Sequence, residues 1–119
     1  MEYVLRMHPT NRLRELRKRA GLRQHELAER SGVSQSAISQ YENDARPLTL
    51  DHMRTFARIL RCATADFLVD EDNPGRLTPE EMEIVRRYRA ADERGRDFLA
   101  RTAEATLPFR APPKADNAA

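Results

Sequence analysis

Residues 28–38 read AERSGVSQSAI, and four of them restrict what the surrounding chain can become. Two helices that cross closely need a small side chain in the first, and Ala28 supplies it. The tight turn between them needs a residue tolerant of positive φ, and Gly32 supplies that. Val33 and Ile38 then plug the angle between the helices. The spacing predicts a helix–turn–helix, with its second helix held outward by its first. That second helix lies in SQSAISQYEN, residues 34–43, where only Ala37, Ile38 and Tyr41 are apolar.

The flanking sequence supplies three more helices. Leu13, Leu16 and Ala20 stand at helical spacing within residues 11–20, with Gly21 as a stop. Gln24 to Ser31 forms the first helix of the motif, burying Leu27 and Ala28. Ser34 is the expected N-cap of the second, with Ile38 and Tyr41 inward. NDARP, residues 43–47, is a loop, because Asn, Asp and Pro favour turns. Thr49 then caps a helix whose stripe is Leu50, Met53, Phe56, Ala57 and Leu60. A short fifth helix around Thr64 to Leu68 adds Phe67 and Leu68. No alternation of period two is long enough for a strand, so the expected class is all-α.

The outward face of the second motif helix cannot be core. Ser34, Gln35, Ser36, Ser39, Gln40 and Asn43 are polar but uncharged. A Gln amide donates and accepts at once, which matches N6 and N7 of adenine, and Ser approaches either partner closely. Neither carries the desolvation cost of a buried charge. The net charge of +2 hides an uneven spread. Residues 1–69 hold 12 Lys/Arg against 8 Asp/Glu, and residues 70–119 hold 9 against 11. The densest run is NRLRELRKRAGLR, residues 11–23, with Arg12, Arg14, Arg17, Lys18, Arg19 and Arg23 against Glu15. Such a run suits a polyanion, and double-stranded DNA is the expected partner.

With these residues in view, RELRKRAGLRQHELAERSGVSQSAISQYENDARPLTLDHMRTFARIL resembles the XRE family, the Cro/CI-type helix-turn-helix domains of phage repressors. The resemblance spans roughly residues 11–68. It implies a five-helix, lambda-repressor-like domain. Gln24 matches the glutamine that opens the second helix and touches a phosphate. Gln35, Ser36 and Gln40 match base-reading positions, with Ser39 beside them. Arg23, Asn43 and Arg46 match positions that contact the DNA backbone. Arg17 and Glu42 match a pair that ties the first helix to the end of the third, strengthened by charge-assisted hydrogen bonds. Two positions depart from the family pattern. Asp44 stands where Gly is common, though Asp tolerates the left-handed region. Arg61-Cys62 stands where Gly-Val is common, so Cys62 is expected as a small buried hydrophobe and Arg61 as a strained C-cap.

The remaining chain divides by composition. Residues 9–69 form the helix-turn-helix domain, and DEDNPG lies in a linker at 70–77. TPEE, residues 78–81, is a capping box with Pro79 at the first helical position. The helix continues through Met82, Ile84, Val85 and Tyr88. Asp92 restarts it, Gly95 weakens it, and Phe98, Leu99, Thr102 and Ala103 share one face. This segment, 78–106, either packs on its own domain or makes a dimer contact. Residues 107–119 are Pro- and Ala-rich and are expected to be disordered.

Other chemistries find no support. HELAE at residues 25–29 lacks the second histidine of a zinc protease. His8, His25 and His52 have no Cys partners at zinc spacing, so no metal or cofactor is expected. Glu80, Glu81 and Glu83 sit in a first turn, where the helix dipole favours them. No phosphate loop or nucleophile elbow appears, and an enzyme is not expected. No apolar run reaches the length of a membrane span or signal peptide, which places the expected site of action in the cytoplasm. The expected function is a transcriptional regulator, a repressor binding a palindromic operator as a homodimer. The alternatives are an antitoxin, whose C-terminal segment holds a toxin partner, and an adaptor that binds protein alone.

Overall fold

The computed structural model describes residues 9–113. The chain divides into two compact units, one ending at Arg76 and the other beginning at Leu77. The first holds α1 (Leu13–Arg19), α2 (Gln24–Ser31), α3 (Gln35–Glu42), α4 (Leu50–Leu60) and a 3-10 turn (Thr64–Phe67). The second holds α5 (Pro79–Ala90), α6 (Glu93–Glu104) and a 3-10 turn (Leu107–Phe109). The described residues contain no strand, and the chain is all-α.

Local chemistry sets the helix boundaries of the first unit. The Ser34 hydroxyl accepts from the Ala37 N–H at 3.1 Å, and Thr49 accepts from the His52 N–H at 3.2 Å. Both caps satisfy a donor that helix geometry leaves unpaired. The Glu26 carboxylate accepts from the Arg23 N–H at 3.0 Å and fixes the start of α2. Gly32 ends α2 at φ 74°, its N–H donating to the Ala28 carbonyl at 2.9 Å. The first helix begins at Leu13 rather than at residue 11. Asn11 is drawn into other bonds: its Oδ1 accepts from the Leu13 N–H at 2.9 Å, and its Nδ2 donates to the Tyr41 carbonyl at 3.0 Å.

Leu13, Leu16, Leu22, Leu27, Val33, Ala37, Ile38, Tyr41, Phe56, Ala57 and Phe67 form one buried cluster. Phe56 lies edge-on to Tyr41 and tilted against Phe67, with ring centroids 6.4 Å apart in each pair. Such offset aromatic contacts add to the burial of the rings themselves. The Tyr41 hydroxyl meets His52 Nδ1 at 2.5 Å, so the polar end of a buried ring is satisfied. Cys62 is half-buried against this cluster, and desolvation raises its thiol pKa above the usual range.

Two further details of this unit differ from the expectation. The fifth helix is a single 3-10 turn, closed where the Asp66 carboxylate accepts from the Ala63 N–H at 2.9 Å. It goes no further because Leu68 turns extended and forms an isolated bridge with Asn11. Leu50, assigned to the inner stripe of α4, is 52 % exposed. Leu48 of the preceding loop packs against the core, and the stripe effectively begins at Met53.

The second unit is a helical hairpin. The Thr78 hydroxyl accepts from the Glu81 N–H at 3.1 Å, with Pro79 in the first turn. Asp92 caps α6 through the Gly95 N–H at 2.8 Å. Arg96 reaches back over the hairpin, donating to the Tyr88 and Arg89 carbonyls at 3.1 and 3.0 Å and lying 5.4 Å from the Tyr88 ring centroid. The Tyr88 carbonyl also accepts from the Ala91 N–H at 3.3 Å, so the guanidinium adds a second donor there and one to the Arg89 carbonyl in the last turn of α5. A Cβ on Gly95 would stand 3.0 Å from the Ala91 Cβ, so glycine fits this close turn. No residue of α5 or α6 is buried, and Ile84 and Phe98 are 63 % and 71 % exposed. Of the tail expected to be disordered, residues 107–109 take a 3-10 turn, whereas residues 114–119 lie outside the described residues, as does His8.

Candidate nucleic-acid interface

The arrangement starts from α3. Ala37, Ile38 and Tyr41 on one side are buried, which turns the other side to solvent. Gln35 and Ser36 are exposed on that outer side, and Ser39 and Gln40 are half-buried beside them. Helical spacing and the three apolar anchors therefore present four amide and hydroxyl groups from one short rod.

Glu42 closes the last turn of α3, and its side chain is wholly buried. The negative end of a helix dipole disfavours a carboxylate there. Arg17 of α1 answers with a two-point clasp, Nε to Oε2 at 2.7 Å and Nη2 to Oε1 at 2.8 Å. Its remaining terminal nitrogen, Nη1, donates to the Leu22 carbonyl at 2.9 Å. One guanidinium thus joins α1, the segment entering α2 and the end of α3. Burial by itself pushes the Glu42 carboxyl up. The hydrogen bonds and charge of Arg17, aided by Gln24 and Arg14, outweigh burial and hold it below the usual range. Bonding to Glu42 in turn raises Arg17.

The flanking residues lie around this clasp. Gln24, at the first position of α2, directs Nε2 toward Glu42 Oε1 at 3.4 Å. Arg23, the N-cap of α2, is exposed. Asn43 is the C-cap of α3. The Ala45 and Arg46 N–H groups both donate to the Gln40 carbonyl, at 2.9 and 3.3 Å, folding the loop back on the helix. The exposed Arg46 guanidinium lies 6.0 Å from the Tyr41 ring centroid. Asp44 enables that fold by adopting φ 59°, and its carboxylate accepts from the Thr10 N–H at 3.1 Å as well as from the Thr10 hydroxyl.

All ten residues singled out from the sequence fall in the first unit, on α3 or at the segments that abut it. Arg14, in sequence one member of a basic run, enters the same cluster. Its Nε donates to Glu42 Oε1 at 3.3 Å and its Nη2 to Asn43 Oδ1 at 3.0 Å. The signal was its position three residues before Arg17, on the same face of α1.

Residues 13–67 match the family described as Helix-turn-helix. The chain is also similar to a chain of a solved structure described as a SinR protein/SinI protein complex, with a TM-score of 0.50 and 24 % identity. That likeness covers 80 % of this chain and 94 % of the other, and at this identity it is a likeness of fold. No curated protein matches.

Proposed function

We propose that this chain, whose residues 13–67 match the helix-turn-helix family, is a DNA-binding regulator of the XRE type, a repressor binding a palindromic operator as a homodimer. The observation that carries the reading is the outer side of α3, where Gln35 and Ser36 are exposed while the opposite side is core. In this reading α3 enters the major groove. Gln35, Ser36 and Gln40 read base edges, with Ser39 beside them. Arg23, Gln24, Asn43 and Arg46 hold phosphates, and the Arg17–Glu42 clasp fixes the angle at which α3 is presented. Phosphate contacts supply most of the affinity, which falls steeply with salt.

A gel-shift comparison tests the division of roles. Gln35→Ala costs about 1–3 kcal/mol on the operator and relaxes preference at one base position. Arg46→Ala weakens operator and random duplex alike. Equal losses on both duplexes for Gln35→Ala would take away its reading role.

The exposed apolar residues of α5 and α6 support a protein contact through the second unit. In the homodimer reading its occupant is a second copy. In the antitoxin reading it is a toxin chain. Purification from the native host separates them: a stoichiometric second polypeptide favours the antitoxin, and a homodimer alone favours the repressor. Failure to bind any duplex at low salt would leave the adaptor.

A further inference from the structure

We propose that Arg14 is a positioning residue that sets which way the Ser39 hydroxyl is presented to a base, and thereby which bases this position accepts. The inference rests on the DNA reading of α3 given above and deepens it.

A guanidinium has donors and no acceptor. The Asn43 atom facing Arg14 Nη2 at 3.0 Å is therefore its oxygen, and the amide cannot turn over without placing donor against donor. Arg14 is itself held by Glu42 Oε1 at 3.3 Å, so its head has a fixed anchor. With Oδ1 engaged, Asn43 presents its NH2 on the other side, where Nδ2 lies 3.4 Å from Ser39 Oγ. Ser39 Oγ accepts there. Thr55 and Thr102 differ: each hydroxyl donates to the carbonyl four residues back, at 3.1 and 2.8 Å. The Ser39 proton is left to point outward, and the hydroxyl meets DNA as a donor.

A donor at this position selects bases that offer acceptors in the major groove, namely guanine N7 and O6, adenine N7 or thymine O4. It discriminates against the amino group of cytosine. Without Arg14 the Asn43 amide is free to rotate. Its oxygen can then face Ser39, the hydroxyl donates inward, and its lone pairs face the groove. Preference at that one position moves toward bases carrying an amino group.

The test is selection of binding sites from random duplexes by the full-length chain, as wild type, Arg14→Met, Arg14→Lys and Asn43→Asp. Asp has only acceptors toward Ser39 and forces the inward donation by an independent route. The expected result is that Arg14→Met and Asn43→Asp lower discrimination against cytosine at one position per half-site by about fivefold, the worth of one neutral hydrogen bond. Arg14→Lys, which keeps a donor, retains the wild-type preference. A thermal melt of each variant identifies any that fails to fold, and Asn43→Asp then carries the test in place of Arg14→Met. Uniform weakening at every position, with the same bases chosen, overturns the relay and makes Arg14 a simple phosphate or structural contact. Wild-type protein that enriches no sequence overturns the DNA reading itself, and the relay with it.

Discussion

Glu42 stands where a helix end, a buried environment and a carboxylate conflict, and Arg17 resolves all three. Removing one member of a buried pair leaves the other uncompensated, at a cost of about 3–5 kcal/mol. Glu42→Gln belongs at the low end, because its carbonyl still accepts from the guanidinium. The pair also makes stability depend on pH. The folded-state Glu42 carboxyl titrates below its ordinary value of 4.5, so the unfolded chain binds its proton first as the solution acidifies. The contribution is therefore complete above that ordinary value and disappears as pH falls through the lower folded one. Thermal melts of wild type and Glu42→Gln should lie far apart at neutral pH and converge in acid. A gap that stays constant across this range would mean that Glu42 acts through packing alone. Residues of this kind were readable from sequence only with the family pattern in hand, since a lone Arg and Glu twenty-five positions apart carry no local signal. Arg14 shows the converse. Its spacing from Arg17 was visible, but its two partners lie across the fold, and no periodicity announces them.

At the scale of the element, helix beginnings were clearer than helix ends. Ser34, Thr49, Thr78 and Asp92 cap as their chemistry requires, because a cap depends on residues within one turn. The shortened fifth helix and the exposed Leu50 escaped, since both depend on the path of a neighbouring segment. Two helix ends give predictions of opposite sign. Gly32 holds φ 74° with nothing near a hypothetical Cβ, so Gly32→Ala meets only backbone strain and destabilises by about 1 kcal/mol. Arg61 holds φ 54° at the end of α4 without being glycine. Arg61→Gly relieves a similar strain, partly offset by the greater freedom of glycine in the unfolded chain. Denaturant titration should show a lower midpoint for the first variant and an equal or higher one for the second. A clearly lower midpoint for Arg61→Gly would show that its side chain contributes more than its backbone costs.

At the scale of the whole molecule, the two units differ in what holds them. The first encloses a core around Tyr41, Phe56 and Phe67. The second has two twelve-residue helices with capped starts and the Arg96 latch, and no residue of either helix is buried. Isolated helices of that length are marginal in water, so hairpin chemistry by itself is thin support. Ile84, Tyr88 and Phe98 are the large apolar groups that α5 and α6 leave exposed. If a second copy covers them, affinity for an operator is bivalent, because two α3 helices engage two half-sites at once. Ile84→Glu with Phe98→Asp then yields a monomer by sedimentation, while melting of the first unit is unchanged. Binding of the palindrome falls by about a hundredfold or more, and binding of a single half-site hardly changes. The salt slope reports the same event independently. Each lost phosphate contact reduces it by about 0.9, so halving the bound protein halves the slope. A double variant that remains dimeric and keeps the full slope on the palindrome would move the role of the apolar residues to a different protein.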